Sequence, residues 1–407
     1  MHVVLFEDHH VEDLYPVSLS RPAWAVTCGV RNLRDTVTAC GCTVTTIVRP
    51  HLARIVASGG APVPPPDGPA LFLNASLVPD VRLVRRLLDL AGKGDPFMVT
   101  CGDRVAAALL REGASLAESA RPDDIAERLL LQKLPLCETA AAFLCYPFDI
   151  VRHHMDIFGA NLEHLIGLRP FREIAKGVFA GENVKVPATA QLHAEAGPIV
   201  LDEGVVILDF ALLVGPVYVG RHSRIIERAT VKEMTCIGPT CKIGGEIEAS
   251  VIEGFSNKQH HGFLGHSYVG SWVNMGAGTS NSDLKNTYGS IRVQIGEKRI
   301  DSGMQFFGCV IGDHSKTAIN TSIFTGKIVG VASMLYGFVT TNVPSFCNYA
   351  RSFGEITGID VETAVETQRR MFKRRKVEQT ELDIALMRDL HRLTERDRGL
   401  AAEPISL

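Results

Sequence analysis

Between residues 253 and 286 the chain collects side chains that can take a proton and hold a polar substrate: Asn257, Lys258, His260, His261, His266, Asn274, Asn281, Asp283, Lys285 and Asn286. A neutral imidazole, with a reference pKa of about 6.5, is a general base suited to neutral pH. Transfer of an acyl group from a thioester to an amine needs such a base, because the amine must shed a proton as it attacks. The tetrahedral oxyanion then needs donors, which a backbone N–H or an Asn amide supplies. Direct attack of this kind requires no Ser or Cys nucleophile. One histidine alone is more often a hydrogen-bonded surface group, and it is the clustering that points to chemistry. No metal site is assigned: His260 and His261 point apart on a strand, and no carboxylate stands ready to orient them.

Such a cluster needs a scaffold, and the sequence supplies one on either side of it. Stepping by six from Leu201 gives Leu201, Ile207, Leu213, Val219, Ile225, Val231, Ile237 and Ile243, all aliphatic. The spacing occurs earlier at Ala180, Val186 and Leu192. It returns at Val269 and Met275, and again at Ile311, Thr317, Ile323, Val329 and Leu335, often with Gly following. A helix of 3.6 residues per turn would smear a six-residue period around its circumference. A short strand followed by a tight turn keeps every sixth side chain inward, and three hexads close one triangular coil of a parallel β-helix. The hexads break twice, at 246–263 and at 280–306, and the polar cluster lies in and between those breaks. Interruptions of a regular scaffold are where function concentrates.

The 407 residues exceed one ordinary core. With 46% hydrophobic and 21% charged residues the composition is that of a soluble globular chain. A net charge of -3 offers no global field for a nucleic-acid backbone, so no nucleic-acid partner is expected. No apolar run has membrane-spanning length, and Met1 to His10 lacks the form of a secretory signal, so a cytoplasmic location with no membrane partner is expected. The ten Cys form no CxxC pair and are read as reduced, mostly buried thiols. Three parts follow: residues 1–175, the solenoid at 176–345, and a helical tail at 346–407. The tail carries a basic run, Arg369, Arg370, Lys373, Arg374, Arg375 and Lys376, read as a solvated helix face or as a contact for an anionic partner.

The segment H-H-G-F-L-G-H-S-Y-V-G-S-W-V-N-M-G-A-G-T at 260–279 resembles the acetyltransferase part of the bacterial bifunctional N-acetylglucosamine-1-phosphate uridyltransferase/glucosamine-1-phosphate acetyltransferases, whose pattern is H-L-S-Y-L-G-D-x-x-x-G-D-x-V-N-I-G-A-G-T. The resemblance implies a left-handed β-helix, a homotrimer, and acetyl-CoA in grooves between neighbouring solenoids. It implies His260 as general base, Asn274 as an amino-sugar phosphate contact and Ala277 as a CoA contact. Phe263 stands where the family has a substrate-touching Tyr. Asp283 falls near a CoA-contacting Asn, and Lys285 near a displaced substrate Lys. Lys258 joins the substrate set. Arg228, Lys232 and Lys242 are candidates for the family's upstream cations.

In the first part, 3–6, 71–74 and 98–101 read as strands, and 81–90 and 104–110 as helices. An α/β layer with a mainly parallel sheet follows. Residues 58–69 read as an extended surface loop. The stretch at 14–22, L-Y-P-V-S-L-S-R-P, resembles the sugar-phosphate nucleotidyltransferases, whose glycine-rich cradle is replaced here by Asp8 to Asp13. Asp13 stands at the catalytic Arg position, and Ala75-Ser76 replace a metal-binding Gly-Asp. Glu7, Asp8, Glu12 and Asp13 would repel a triphosphate, and Arg21, Asp80 and Asp103 are the residues that could compensate. Three functions remain open. One is an acetyl-CoA-dependent N-acyltransferase on an amino-sugar phosphate. Another is a bifunctional enzyme that also makes a UDP- or dTDP-sugar, with Mg2+ required only in that case. The last is a non-catalytic, nucleotide-sugar-binding regulatory subunit.

Overall fold

The computed structural model describes residues 1–60 and 68–401, so most of the loop expected at 58–69 lies outside the described residues. Contacts divide the chain into two compact units, Met1–Asp149 and Ile150–Leu407, and the tail helices belong to the same unit as the solenoid.

The first unit is built on a five-stranded sheet in the order Thr43–Ile47, His2–Phe6, Ala70–Asn74, Arg104–Leu110, Phe97–Cys101. His2–Phe6 is parallel to both its neighbours, whereas Arg104–Leu110 runs antiparallel to both of its own. The sheet is therefore mixed, with an antiparallel hairpin at one edge. Residues 104–110, expected as helix, form this strand. All seven are buried, so no alternation marks the segment, and its run of alanines gives a helix-like signal until the sheet overrides it. Val81–Gly92 is helical as expected: Asp80 caps it, and Val81, Val84, Leu87 and Ala91 form its buried stripe.

The second unit is a parallel β-helix of about 10 turns, with C-terminal helices. Its short strands stack into three faces of a prism. The aliphatic hexad positions from Leu201 to Ile243 are all buried and belong to one continuous core. The chain turns between hexads at residues held with positive φ, and His222, Arg228, Met234 and Thr240 repeat that conformation at six-residue spacing.

The first expected break is not one. Residues 246–263 continue the coil, with Ile247 above Val231 and Ile252 above Ile237. The steps between inward residues shorten to four and five there, so the hexad phase is lost from the sequence while the stacking persists. The excursion after 281 is a break, and it contains the antiparallel hairpin Arg292–Ile295 with Lys298–Asp301. The tail divides into helices Val361–Arg374, Glu381–Leu393 and Glu395–Ala401. The second is started by a reciprocal capping box between Thr380 and Asp383. Among the described residues no helix is long and apolar enough to cross a membrane.

Candidate functional site

The polar cluster occupies two successive coils and the start of the excursion that follows them. Strand Asn257–Lys258 pairs with Asn274–Met275, with Asn257 opposite Asn274, and Asn274–Met275 pairs with Lys316–Thr317. The turn holding His260 and His261 therefore stacks on the turn holding Ala277 and Gly278, where Gly278 N donates to His261 O at 3.1 Å. His260 is exposed on this corner, and Asn274 is exposed on the adjoining face. Gly262 makes the stacking possible. It has φ +123°, and a Cβ there would lie 2.0 Å from Thr279 O. Ala277 contributes its carbonyl to Asn320 N at 2.7 Å.

On the next face stands a second group. His266 Nδ1 lies 2.9 Å from Asp283 Oδ2, with both side chains mostly buried. The His266 ring stacks on Phe306, with centroids 5.3 Å apart. Phe263, Asp283 and Gly265 converge: a Cβ on Gly265 would fall 2.4 Å from both Asp283 Oδ2 and the Phe263 ring. Beneath them Asn281 points into the coil, accepting from Gly265 N at 3.0 Å and donating to Gly265 O at 3.1 Å. Phe263 and Asp283 are thus neighbours, and His266 is a carboxylate-oriented imidazole stacked on the Phe306 ring.

Lys258 is placed differently from its sequence expectation. It occupies the inward position above Ile243 and is 3% exposed. Its Nζ donates to Gly244 O at 3.0 Å and His260 O at 2.9 Å, and burial pulls its pKa down to about 8. Its contact with the exposed corner is therefore indirect, through the backbone of His260. Lys285 lies in the excursion and donates to Ser290 O at 2.7 Å.

The candidates for upstream cations are dispersed. Lys232 is held by Glu246 at 2.6 Å and Glu248 at 3.3 Å. Arg228 lies over the Phe210 ring, 5.6 Å from its centroid. Lys242 sits on another face, opposite Arg224 and Asn257. Among the described residues no group of three or more His, Cys, Asp or Glu could hold a metal ion.

In the first unit the acidic residues after the opening strand are inside the protein. Glu7 is 0% exposed and accepts from Ala23 N at 2.9 Å and from the Arg49 guanidinium at 3.0 Å. Asp8 receives a bidentate Arg104 pair, 2.8 Å to each oxygen, and Asn74 Nδ2 at 2.7 Å. Burial raises the Asp8 pKa, but Arg104 and Asn74 outweigh it and hold the carboxyl below its ordinary value. Asp80 is occupied as a helix cap and as the partner of Arg82. Glu12 and Asp13 remain exposed. Nothing in the sequence marks Arg49 and Arg104 as the partners of these carboxylates, because pairs 42 and 96 residues apart leave no local pattern.

Residues 3–169 match the model of the sugar nucleotidyl transferase family. The bifunctional sugar-1-phosphate nucleotidylyltransferase/acetyltransferase of Sulfurisphaera tokodaii is 35% identical over 103 residues, which is 25% of this chain and 26% of that protein. The bifunctional protein GlmU of Prochlorococcus marinus is 26% identical over 187 residues, 44% of this chain and 35% of that protein. Among solved structures, a point mutant of the Bacillus cereus N-acyltransferase AntD, in complex with dTDP and coenzyme A, is 15% identical with a TM-score of 0.21, covering 48% of this chain and 91% of that one. The chain spans about a quarter of the length of the first two curated relatives it matches, 26% and 22%.

Proposed function

We propose, for a chain that is a divergent relative of the bifunctional sugar nucleotidyltransferase/acetyltransferases, that its second unit transfers an acyl group from acyl-CoA to the amine of an amino-sugar phosphate. The observation that carries this reading is the stacking of the His260 turn on the Ala277–Gly278 turn, at the corner next to Asn274. His260, exposed at that corner, takes the amine proton as the nitrogen attacks the thioester carbonyl. The new C–N bond forms as the C–S bond breaks. The sulfur leaves as thiolate and is protonated to the free CoA thiol. Asn274 and Phe263 line the acceptor, with Lys285 approaching from the excursion. Lys258 holds the His260 carbonyl and so positions the base. Ala277 and Asp283 meet the donor, Asp283 through the ring of His266 that it orients. Acetyl-CoA is the expected donor, and a homotrimer the expected assembly.

The test is release of CoA thiol from acetyl-CoA in the presence of glucosamine 1-phosphate and related amino-sugar phosphates. Acceptor-dependent thiol release is expected. Its absence with every acceptor would overturn the reading and leave a binding function.

A second reading concerns the first unit, where one observation favours loss of nucleotidyl transfer. The positions of a triphosphate cradle are filled by the Glu7–Arg49 and Asp8–Arg104 pairs. A magnesium triphosphate needs free cations, N–H donors and a metal carboxylate. The buried carboxylates Glu7 and Asp8 have already committed their cations. Pyrophosphate release from UTP or dTTP with a sugar 1-phosphate and Mg2+ would show that transfer is retained.

A further inference from the structure

The basic run at 369–376 divides in two. Arg369 and Arg370 both pair with Glu366 on their own helix, as solvated charges do. Arg374 and Arg375 do not. They end the helix Val361–Arg374, which is pinned to the solenoid by a three-ring stack. Phe372 lies on Trp272 and Trp272 on Phe255, each pair with centroids 4.3 Å apart. Arg375 Nη2 then donates to Asn257 Oδ1, and Asn257 Nδ2 donates to Asn274 Oδ1 at 3.3 Å.

This brings the two arginines to a cationic strip on the solenoid itself. Arg224, Lys242, Asn257 and Asn274 face outward in register on four consecutive coils. Lys242 is pulled below its ordinary pKa by burial first, then by Arg375, Arg374 and Arg224. Among the described residues none of Arg224, Lys242 and Arg374 has a carboxylate partner. Beside them runs a groove of about 180 Å³, lined by Leu208, Arg224, Ile226, Glu227, Lys242 and Gln259. That is space for a polyatomic anion, far more than one water needs. Glu227 is its one lining carboxylate, against Arg224 and Lys242, and Arg375 stands on Asn257, the residue opposite Lys242 on the next coil. The groove lining includes Gln259, the residue before His260.

Like charges gathered without counter-ions destabilise a fold unless a ligand supplies the opposite charge. Arginine forks and a lysine ammonium match phosphate oxygens. The apolar side chains of Leu208 and Ile226 suit the uncharged remainder of such a ligand. We propose that the Arg224–Lys242 groove, completed by Arg374 and Arg375 of the tail, binds the phosphate or diphosphate group of a small molecule. This site lies on a different face from Phe263 and Asp283, and it does not depend on acyl transfer.

The experiment is isothermal titration of the full chain with inorganic pyrophosphate at fixed ionic strength. It is repeated with CoA, 3′-dephospho-CoA and glucosamine 1-phosphate to identify the source of the phosphate. Arg224→Gln/Lys242→Gln is expected to weaken pyrophosphate binding at least tenfold. Arg375→Gln is expected to weaken it severalfold, since Phe372 still anchors the helix. Arg369→Gln, which removes a charge already paired with Glu366 on its own helix, is expected to bind as the unaltered chain does. Binding without turnover in any acceptor assay would overturn the acyl-transfer reading and leave this one standing. Pyrophosphate binding that is absent, or insensitive to both groove variants, would overturn the proposal. So would a salt-reversible self-association abolished by the same variants, which would assign the cations to a second copy of the chain.

Discussion

His266 Nδ1 meets the Asp283 carboxylate at 2.9 Å across one coil of the solenoid, and that contact fixes which nitrogen carries the proton. With Nδ1–H directed at the carboxylate, Nε2 remains as the acceptor, on a ring that stacks against Phe306. Under the proposed function the two residues act as one unit toward the donor. Asp283→Asn and His266→Gln should therefore raise KM for acetyl-CoA by similar factors, with kcat changing less. The double variant should cost little more than either alone, since members of one network are not additive. Steady-state kinetics on the two single variants and the double variant checks this. Fully multiplicative losses would separate the two side chains.

His260 takes the opposite signature. A general base contributes about 10²–10⁴-fold to a rate. His260→Ala should lower kcat within that range while leaving KM for both substrates near its original value. Initial rates of thiol release measure it. A variant that keeps full kcat removes His260 from the chemistry and turns attention to His266.

Lys258 is costly where it stands. Its folded pKa of about 8 lies below the ordinary value of 10.5, so the unfolded chain binds the proton more tightly. The charged form therefore opposes folding below pH 8, and that penalty fades as pH rises from 8 toward 10.5. Each 1 pKa unit is about 1.4 kcal/mol, and the two hydrogen bonds of the ammonium offset part of the sum at about 1 kcal/mol each. Lys258→Met restores an apolar side chain between Ile243 and Met275. It should stabilise the second unit by about 1–2 kcal/mol at pH 7, with the gain shrinking at pH 10. Urea unfolding read by Trp272, in a Trp24→Phe background, measures it. A gain that does not fall with pH would contradict the burial of the charge.

The solenoid was legible because its core repeats. From Leu201 to Ile243 every sixth residue carries one message, and each inward position agrees with the next. The phase fails where coil segments shorten, so Ile247 and Ile252 look displaced although they stack correctly. The same coil geometry held a further signal. Asn257 and Asn274, like His266 and Asp283, are 17 residues apart, one coil in this stretch, and such pairs stand directly over one another. Reading the polar residues at that spacing would have joined His266 to Asp283. In the first unit no comparable period exists. Glu7 and Asp8 read as charges in a loop, whereas partners from Arg49 and Arg104 make them the centre of a buried network. Strand 104–110 was hidden because burial on both faces removes alternation.

That network makes a prediction about the first unit. Arg104→Ala leaves Asp8, 1% exposed, without its bidentate partner. Breaking one side of a buried pair costs about 3–5 kcal/mol. The loss should appear in unfolding followed by Trp24 in a Trp272→Phe background. Asp8→Asn combined with Arg104→Met should cost less, because no charge is then stranded. The pH dependence has a definite sign. The Asp8 carboxyl is held below its ordinary value of 3.8, so its contribution is present above that pH and is lost as pH falls through the folded value. Arg104→Ala should flatten this acid limb. The same pairing explains why magnesium and UTP together should not raise the melting temperature of this unit: a ligand stabilises only through the state it binds, and these cations are already engaged. A rise of several degrees, dependent on both magnesium and UTP, would show instead that the triphosphate site survives beside the Glu7 and Asp8 pairs.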